Sequence, residues 1–350
     1  MPEATAKRRV LVVGGAGYVG SVLTRELLGH GFGVRVLDSL LYGNGDSLAG
    51  VAEHERFEFV RGDVRSPEDV RAAVAGVTDV VLLAALVGDP VCKRNPHLAS
   101  ETNLGGARNL LEASREAEIG RLVFASTCSN YGLRPDNEPA SETDELHPLS
   151  LYAETKVEME REILADRDSL PFTPTVLRVA TAFGISPRMR FDLTVSEFTR
   201  QLALGDELEV YDADTWRPYC HVADISSAVI SVLGAEEEKV RGEVFNVGGD
   251  EGNHTKRMIV EAALDALDGD GRVIWSEGGS DPRNYRVSFA KIQERLGFET
   301  RHTVAGSIER LIGAIRSGMF ADVESRSLFY RNYELETHAA GEGAGGGDAG

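Results

Sequence analysis

Cysteine is scarce. The chain of 350 residues holds three, Cys92, Cys128 and Cys220, scattered and odd in number, which suits neither a disulfide framework nor the paired spacing of a metal site. No metal is expected, and a reducing cytoplasm suits such a chain. Basic charge is short as well: 37 Lys and Arg face 56 Asp and Glu, a formal net charge of −19. A surface of that sign repels polyanions, so general binding to nucleic acid or anionic membrane is excluded. An anionic ligand would have to be held by local arginines. No apolar run approaches the roughly 18 residues that begin to span a bilayer. Pro2 to Arg9 is polar, so neither secretion nor membrane spanning is expected. No internal repeat stands out. What is present is 42% hydrophobic content, enough for a sizeable core, in a length that points to one large or two unequal domains.

Arg9-Val-Leu-Val-Val13 is a continuous apolar run of the kind found in a fully buried parallel strand. It leads into Gly14-Gly15-Ala16-Gly17-Tyr18-Val19-Gly20, after which Val19, Val22, Leu23, Leu27 and Leu28 mark one face of a helix over Tyr18 to Gly29. Glycines at such a turn let the backbone approach a pyrophosphate, and the helix start offers it free N–H groups and the positive end of the dipole. The spacing Gly14-x-x-Gly17-x-x-Gly20 differs by one residue from the usual dinucleotide fingerprint. The next apolar run, Val34-Arg-Val-Leu-Asp38, ends in an acid about 20 residues after the turn, where a carboxylate can accept both adenosine ribose hydroxyls. No Arg follows in Ser39 to Asn44, and a carboxylate repels a ribose phosphate, so the expected cofactor is NAD and not NADP.

The second signal is Tyr152-Ala-Glu-Thr-Lys156. At i and i+4 the two side chains share one helix face. A phenol with its usual pKa near 10 is a poor base at neutral pH, and a neighbouring ammonium favours phenolate. Tyr152 is thus the expected base toward a carbinol and Lys156 its helper, with a further reach to the nicotinamide ribose.

Strand and helix alternate up to about Gly184. Further strands are read at 57–60, 79–83, 121–124 and 174–178, a short helix after Ser66-Pro67-Glu68-Asp69, and a longer one over Thr102 to Glu118. Repeated crossover implies an α/β fold, a Rossmann-like doubly wound parallel sheet with helices on both faces. After Gly184 the pattern loosens into helices near 194–204, 224–233, 254–267 and 305–317. The expected organisation is an NAD-binding domain over 8–184, with a returning segment at about 218–248. A smaller, discontinuous α/β substrate lobe takes 185–217 and 249–320. The low-complexity tail, 336–350, is expected to be disordered.

Together with Gly14 to Gly20, the segments Gly62-Asp63, Leu83-Ala84-Ala85, Asn103, Phe124-Ala-Ser-Thr-Cys-Ser-Asn-Tyr-Gly132, Tyr152 with Lys156 and His221-Val-Ala-Asp224 resemble the extended short-chain dehydrogenase/reductases, over roughly residues 8 to 320. Within them the chain is similar to enzymes acting on nucleotide-diphosphate sugars. The stretches 85–96, 177–190 and 281–287 look like the branch of C4 oxidases and epimerases of nucleotide-activated heptoses. The resemblance implies a cofactor site of Gly14, Gly17, Tyr18, Val19, Gly20, Asp38, Asp63, Val64, Ala84, Ala85, Asn103, Ser126, Tyr152 and Lys156. Thr127 aligns with the Ser/Thr that shares the substrate hydroxyl proton with Tyr152, and Ser126 is the neighbour that could exchange roles with it. Arg217 aligns with the arginine that holds the sugar diphosphate, and Arg283 is a second candidate. Arg188 and Arg190 are expected in the same pocket. Thr181 stands where many relatives have an Asn against sugar or diphosphate.

The related 4,6-dehydratases carry an Asp-Glu pair where this chain has Cys128 and Ser129, and the glucuronate decarboxylases a Glu at the second of these positions. Elimination and decarboxylation are therefore disfavoured. Cys128 reads as a small core residue, and His221 as structural, with Asp224 capping the following helix. Three functions stay open: a C4 epimerase working through a transient 4-keto sugar, a C4 dehydrogenase that releases it, and a non-catalytic NAD-binding regulatory protein. The resemblance also implies a homodimer through Thr102–Glu118 and the Tyr152 helix, with Val157, Ile163 and Leu164 as its apolar surface.

Overall fold

Strand β1 (Arg9–Val13) is followed by β2 (Gly33–Asp38), β3 (Phe57–Arg61), β4 (Asp79–Leu82), β5 (Arg121–Thr127) and β6 (Thr173–Val179). Val10, Val12, Val34, Val36, Val81 and Val123 point into the core layer on one face, and Leu11, Val13, Leu37, Val80, Leu82, Leu122 and Phe124 into the layer on the other. This is the strand period of two with both faces covered, which is why the sequence shows continuous apolar runs here and no alternation. The computed structural model describes residues 7–134, 138–279, 281, 283–332 and 335, so the expected disordered tail lies outside the described residues.

After β6 the chain leaves the main sheet through β7 (Thr181–Phe183), β8 (Glu207–Tyr211) and β9 (Trp216–His221). It returns as β10 (Glu243–Val247) and ends its strands with β11 (Asn253–Thr255) and β12 (Arg272–Ser276). The main sheet is seven-stranded and all parallel, in the order β3-β2-β1-β4-β5-β6-β10. Strands β7, β9 and β11 form a second sheet, and β8 pairs with β12. Helices Thr194–Ala203, Lys256–Ala266 and Val304–Arg316 share an apolar cluster built on Val195, Leu202, Ile259, Val260, Ile308 and Ile312. Among the described residues no helix is long and apolar enough to cross a membrane.

Local chemistry explains the element ends. Ser66 accepts the Asp69 N–H at 3.2 Å with Pro67 in the first turn, as the sequence predicts. The helix expected over Thr102–Glu118 is a single π turn, Glu101–Gly105, leading into an α-helix over Gly106–Glu116. Asp224 does not cap its helix. The cap is the His221 ring, whose Nδ1 accepts from the Ala223 N–H at 3.1 Å, and Asp224 instead binds the N–H and ring of His302.

The expected apolar dimer surface is also absent. Val157 and Ile163 are buried in the protomer's own core and Leu164 is half-buried against it. A helix whose neighbours are a sheet on one side and a second helix on the other spends its apolar residues inward. Its exposed side carries Glu158 and Glu162, bonded to Arg108 of the helix Gly106–Glu116, and Asp166 at its end pairs with Arg115 of that same helix.

Candidate active site

The order of the main sheet reverses between β1 and β4, and the crevice outside their carboxyl ends is where doubly wound sheets take ligands. A cavity of about 510 Å³ opens there. Gly14 follows β1 with φ +87°, and a Cβ on it would lie 2.7 Å from the Ala84 nitrogen after β4. A Cβ on Gly20 would lie 2.1 Å from the Gly14 carbonyl oxygen. A side chain at either position would run into backbone, so glycine is what lets turn, helix and neighbouring strand end lie this close. The helix Tyr18–Gly29 starts at Gly17 with no side-chain cap and no acid in its first turn, so its N–H groups are left for an anion. Asp38, at the end of β2, is held by the N–H groups of Ala16 (3.0 Å) and Leu40 (2.9 Å). Burial pushes its carboxyl up and these donors oppose the shift.

Those walls fit NAD: a glycine cradle and free helix start for the pyrophosphate, and a carboxylate for the adenosine ribose. Tyr18, Val19, Val64, Ala84 and Ala85 line the same cavity, as does Asp63, whose carboxylate is bonded to Arg65. Asn103 does not line it. From the π turn its Oδ1 accepts the Leu86 N–H at 2.7 Å and its Nδ2 donates to the Leu86 carbonyl at 3.2 Å, so it braces the loop after β4 from behind.

Thr127 ends β5 and Tyr152 and Lys156 stand on the helix Leu151–Ala165, started by the Ser150 cap. All three line the cavity. Lys156 Nζ donates to the Ala125 carbonyl at 2.7 Å and lies 5.8 Å from the Tyr152 ring centre. Burial pushes the phenol well above its ordinary value, with Arg190 and Arg283 the opposing charges, and it pulls Lys156 down to about 8. Ser126 cannot exchange roles with Thr127, because its hydroxyl donates to Glu160 and accepts from Asn130. Glu160 lies a further turn along the Tyr152–Lys156 face, and Arg178 of β6 meets its Oε2 at 2.7 Å with both groups buried. Cys128 is buried, and its thiol donates to the Arg178 carbonyl.

Arg217, Arg283, Thr181 and Arg190 also line the cavity. Arg217 Nη2 lies 3.1 Å from Asp281 and Arg283 Nη2 bridges Asp281 (2.7 Å) and Asp89 (3.1 Å). Burial alone would raise the Asp281 carboxyl, but Arg283 and Arg217 hold it well below the usual carboxylate range. Arg190 differs from the expected sugar-side contact: its fork is closed on Asp192 at 2.9 and 2.7 Å.

Residues 10–248 match the model of the NAD dependent epimerase/dehydratase family. The chain belongs to that family. It is 30% identical to the UDP-glucose 4-epimerase of Corynebacterium glutamicum over 84% of its own length and 92% of the relative's. It is 33% identical to the dTDP-glucose 4,6-dehydratase of Streptomyces griseus, over 83% and 88%. The solved UDP-glucose 4-epimerase of Thermus thermophilus, a complex with NAD, superposes with a TM-score of 0.77 at 29% identity, covering 88% of this chain and 99% of that one. This epimerase/dehydratase is thus an NAD-dependent enzyme of the extended short-chain dehydrogenase/reductase type, and its Rossmann-like sheet is the family's.

Several residues of the family member's site were not legible as such. Glu160 reads in sequence as one more exposed acid of a charged helix, yet it is 1% exposed and anchors β5, β6 and the helix Leu151–Ala165 together. Its i+4 spacing from Lys156 was the available signal. Asp89 and Asn332 also line the cavity, the latter from beyond the matched region, and nothing local marks either.

Proposed function

We propose that the enzyme is a C4 epimerase of a nucleotide-diphosphate hexose or heptose. The observation that carries this reading is the state of the carboxylates lining the cavity. Asp38 is held by backbone N–H groups, Asp63 by Arg65, Asp89 and Asp281 by Arg283, and Asp192 by Arg190. The positions that hold an acid pair in the dehydratases carry Cys128, buried, and Ser129, whose hydroxyl accepts from Arg283 at 3.3 Å. A site whose described residues offer no free acid suits oxidation and re-reduction at one carbon better than loss of water or carbon dioxide.

When bound, NAD would supply the hydride acceptor and, once the ketone has turned its other face to it, the hydride donor. Tyr152 removes the proton from the C4 hydroxyl and gives it back, and Thr127, which can donate and accept, keeps that oxygen in register. Lys156, fixed by the Ala125 carbonyl, holds its ammonium beneath the phenol and favours the charged form as the proton leaves. Arg217, buried in the cavity wall with its Nη2 ion-paired to Asp281 at 3.1 Å, is suited to a diphosphate oxygen that displaces that carboxylate, with Arg283 beside it. Purified enzyme offered ADP-, GDP-, UDP- and dTDP-activated hexoses and heptoses should convert at least one to its C4 epimer. A panel that yields only dehydrated or decarboxylated products removes the reading.

Three free, buried cysteines suit a reducing cytoplasm, which is part of this proposal. So are two lobes meeting at the cavity, and a homodimer. Pairing through the Gly106–Glu116 and Leu151–Ala165 helices would join the faces bearing Arg108, Glu158 and Glu162. Such a dimer should loosen as salt rises. Light scattering that finds only the monomer mass at micromolar protein and low salt removes it.

A further inference from the structure

Arg188 is the buried cation that the reaction described above does not use. It is 2% exposed yet lines the cavity, and its Nε has no hydrogen-bond partner among the described residues. Its position follows from the loop that carries it. The Tyr18 hydroxyl donates to the Gly184 carbonyl at 2.6 Å, the Ser186 hydroxyl donates to the Tyr18 carbonyl at 2.7 Å and meets the Ser21 hydroxyl at 3.1 Å, and the Arg188 N–H donates to Ser186. The loop is thereby stitched to the first turn of the helix whose start faces the cofactor phosphates. From there the guanidinium reaches the opposite wall, 4.8 Å from the centre of the Tyr42 ring, four residues beyond Asp38. The two groups stack on each other, and both line the cavity that also holds Asp38 and the helix start.

The hydrogen bonds that Arg188 does make are to neutral groups of the C-terminal segment. Nη2 donates to Asn332 Oδ1 at 2.6 Å and, at 3.5 Å, to the Arg331 carbonyl. Asn332 is itself 5% exposed, its N–H bonded to Asp192 and its amide to the Val87 carbonyl. The Phe191 N–H binds the Tyr330 carbonyl, and Phe191, Phe329 and Tyr330 pack in one cluster with Tyr18. Leu335 packs beside Tyr152 and Cys92. Asp192, whose charge acts on Arg188, already serves Arg190 and Asn332. A buried guanidinium without a paired carboxylate is costly, and it is retained where an anion completes it. The Tyr42 hydroxyl, also buried without a partner among the described residues, is a second donor at the same place.

We propose that Arg188, with the Tyr42 hydroxyl, binds a phosphate of the NAD pyrophosphate, and that the C-terminal segment holds Arg188 there through Asn332 and so retains the cofactor. This rests on the NAD site and not on the choice of epimerase, so it stands if that choice fails. Charge burial points the same way, since desolvation and Arg190 pull Arg188 down to about 10, a shift an anion would reverse.

Full-length enzyme stripped of nucleotide serves as the test, titrated by calorimetry with NAD, ADP-ribose and adenosine. Charge-assisted hydrogen bonds of this kind are worth roughly tenfold to a hundredfold in affinity. Arg188→Gln should weaken NAD and ADP-ribose alike by about that factor and leave adenosine unchanged, and Arg188→Lys should restore part of it. Asn332→Ala should weaken NAD several-fold, and the double variant no more than Arg188→Gln alone. Tyr42→Phe, which removes a partnerless hydroxyl and disturbs no bond of the fold, should also weaken NAD and ADP-ribose but not adenosine, and serves if Arg188→Gln does not fold. An equal loss for adenosine would place the guanidinium on the base or ribose, and unchanged NAD affinity with a lowered melting temperature would make it structural; either overturns the proposal.

Discussion

Replacing Tyr152 by Phe is expected to lower turnover by about 10²- to 10⁴-fold while NAD stays bound, because only the proton-carrying oxygen is lost. The ring stays partly buried against the cluster of Leu86, Val91, Cys92 and Ala99, so the helix has no reason to move. NAD content per chain, measured by releasing the nucleotide on denaturation, should match that of the parent. Retention of more than about a hundredth of the rate would remove Tyr152 from the proton transfer.

Arg178→Met is expected to be the most destabilising single change in the site. Glu160 is 1% exposed and Arg178 5%, and the guanidinium also donates to the Tyr131 hydroxyl and the Glu142 carbonyl. Methionine fills much of the volume but leaves the Glu160 charge buried with only Ser126 and Asn130 as donors. Breaking one side of a buried pair costs about 3–5 kcal/mol. That is a large part of the stability of an ordinary domain, so a fall in the urea midpoint should be plain. A loss below about 1 kcal/mol would mean that the pair is not what ties the catalytic helix to β5 and β6.

The sequence made the NAD half of the site readable because each of its parts is a local signal. A strand, a glycine turn, a helix start and an acid at the next strand end are all set by neighbours within about 30 residues. The parallel strands and the later helices at 194–203, 256–266 and 304–316 were likewise legible from apolar runs and period. What stayed hidden depends on distance along the chain. Arg178 meets Glu160 only because β6 lies beside β5. Arg188 nears Asp38 from 150 positions away, so a search for an arginine directly after Asp38 could not find it. Asn103 was expected at the cofactor, and its side chain is found bonded to Leu86 from the π turn, since family likeness marks a position and not the direction of a side chain. Val157 and Ile163 misled for a simpler reason. An apolar residue on a helix is one side of a contact, and only the fold shows that its own core takes the other.

The central claim is that oxidation at C4 is followed by re-reduction in the same cavity. It is tested by following purified enzyme, carrying the NAD it retains and given no more, with an activated sugar that it accepts. The account predicts many turnovers between C4 epimers with no net accumulation of reduced nicotinamide, because each hydride returns to the sugar it came from. If instead product stops at one ketone per bound NAD and resumes only when an electron acceptor is added, the enzyme is a C4 dehydrogenase and the account is contradicted.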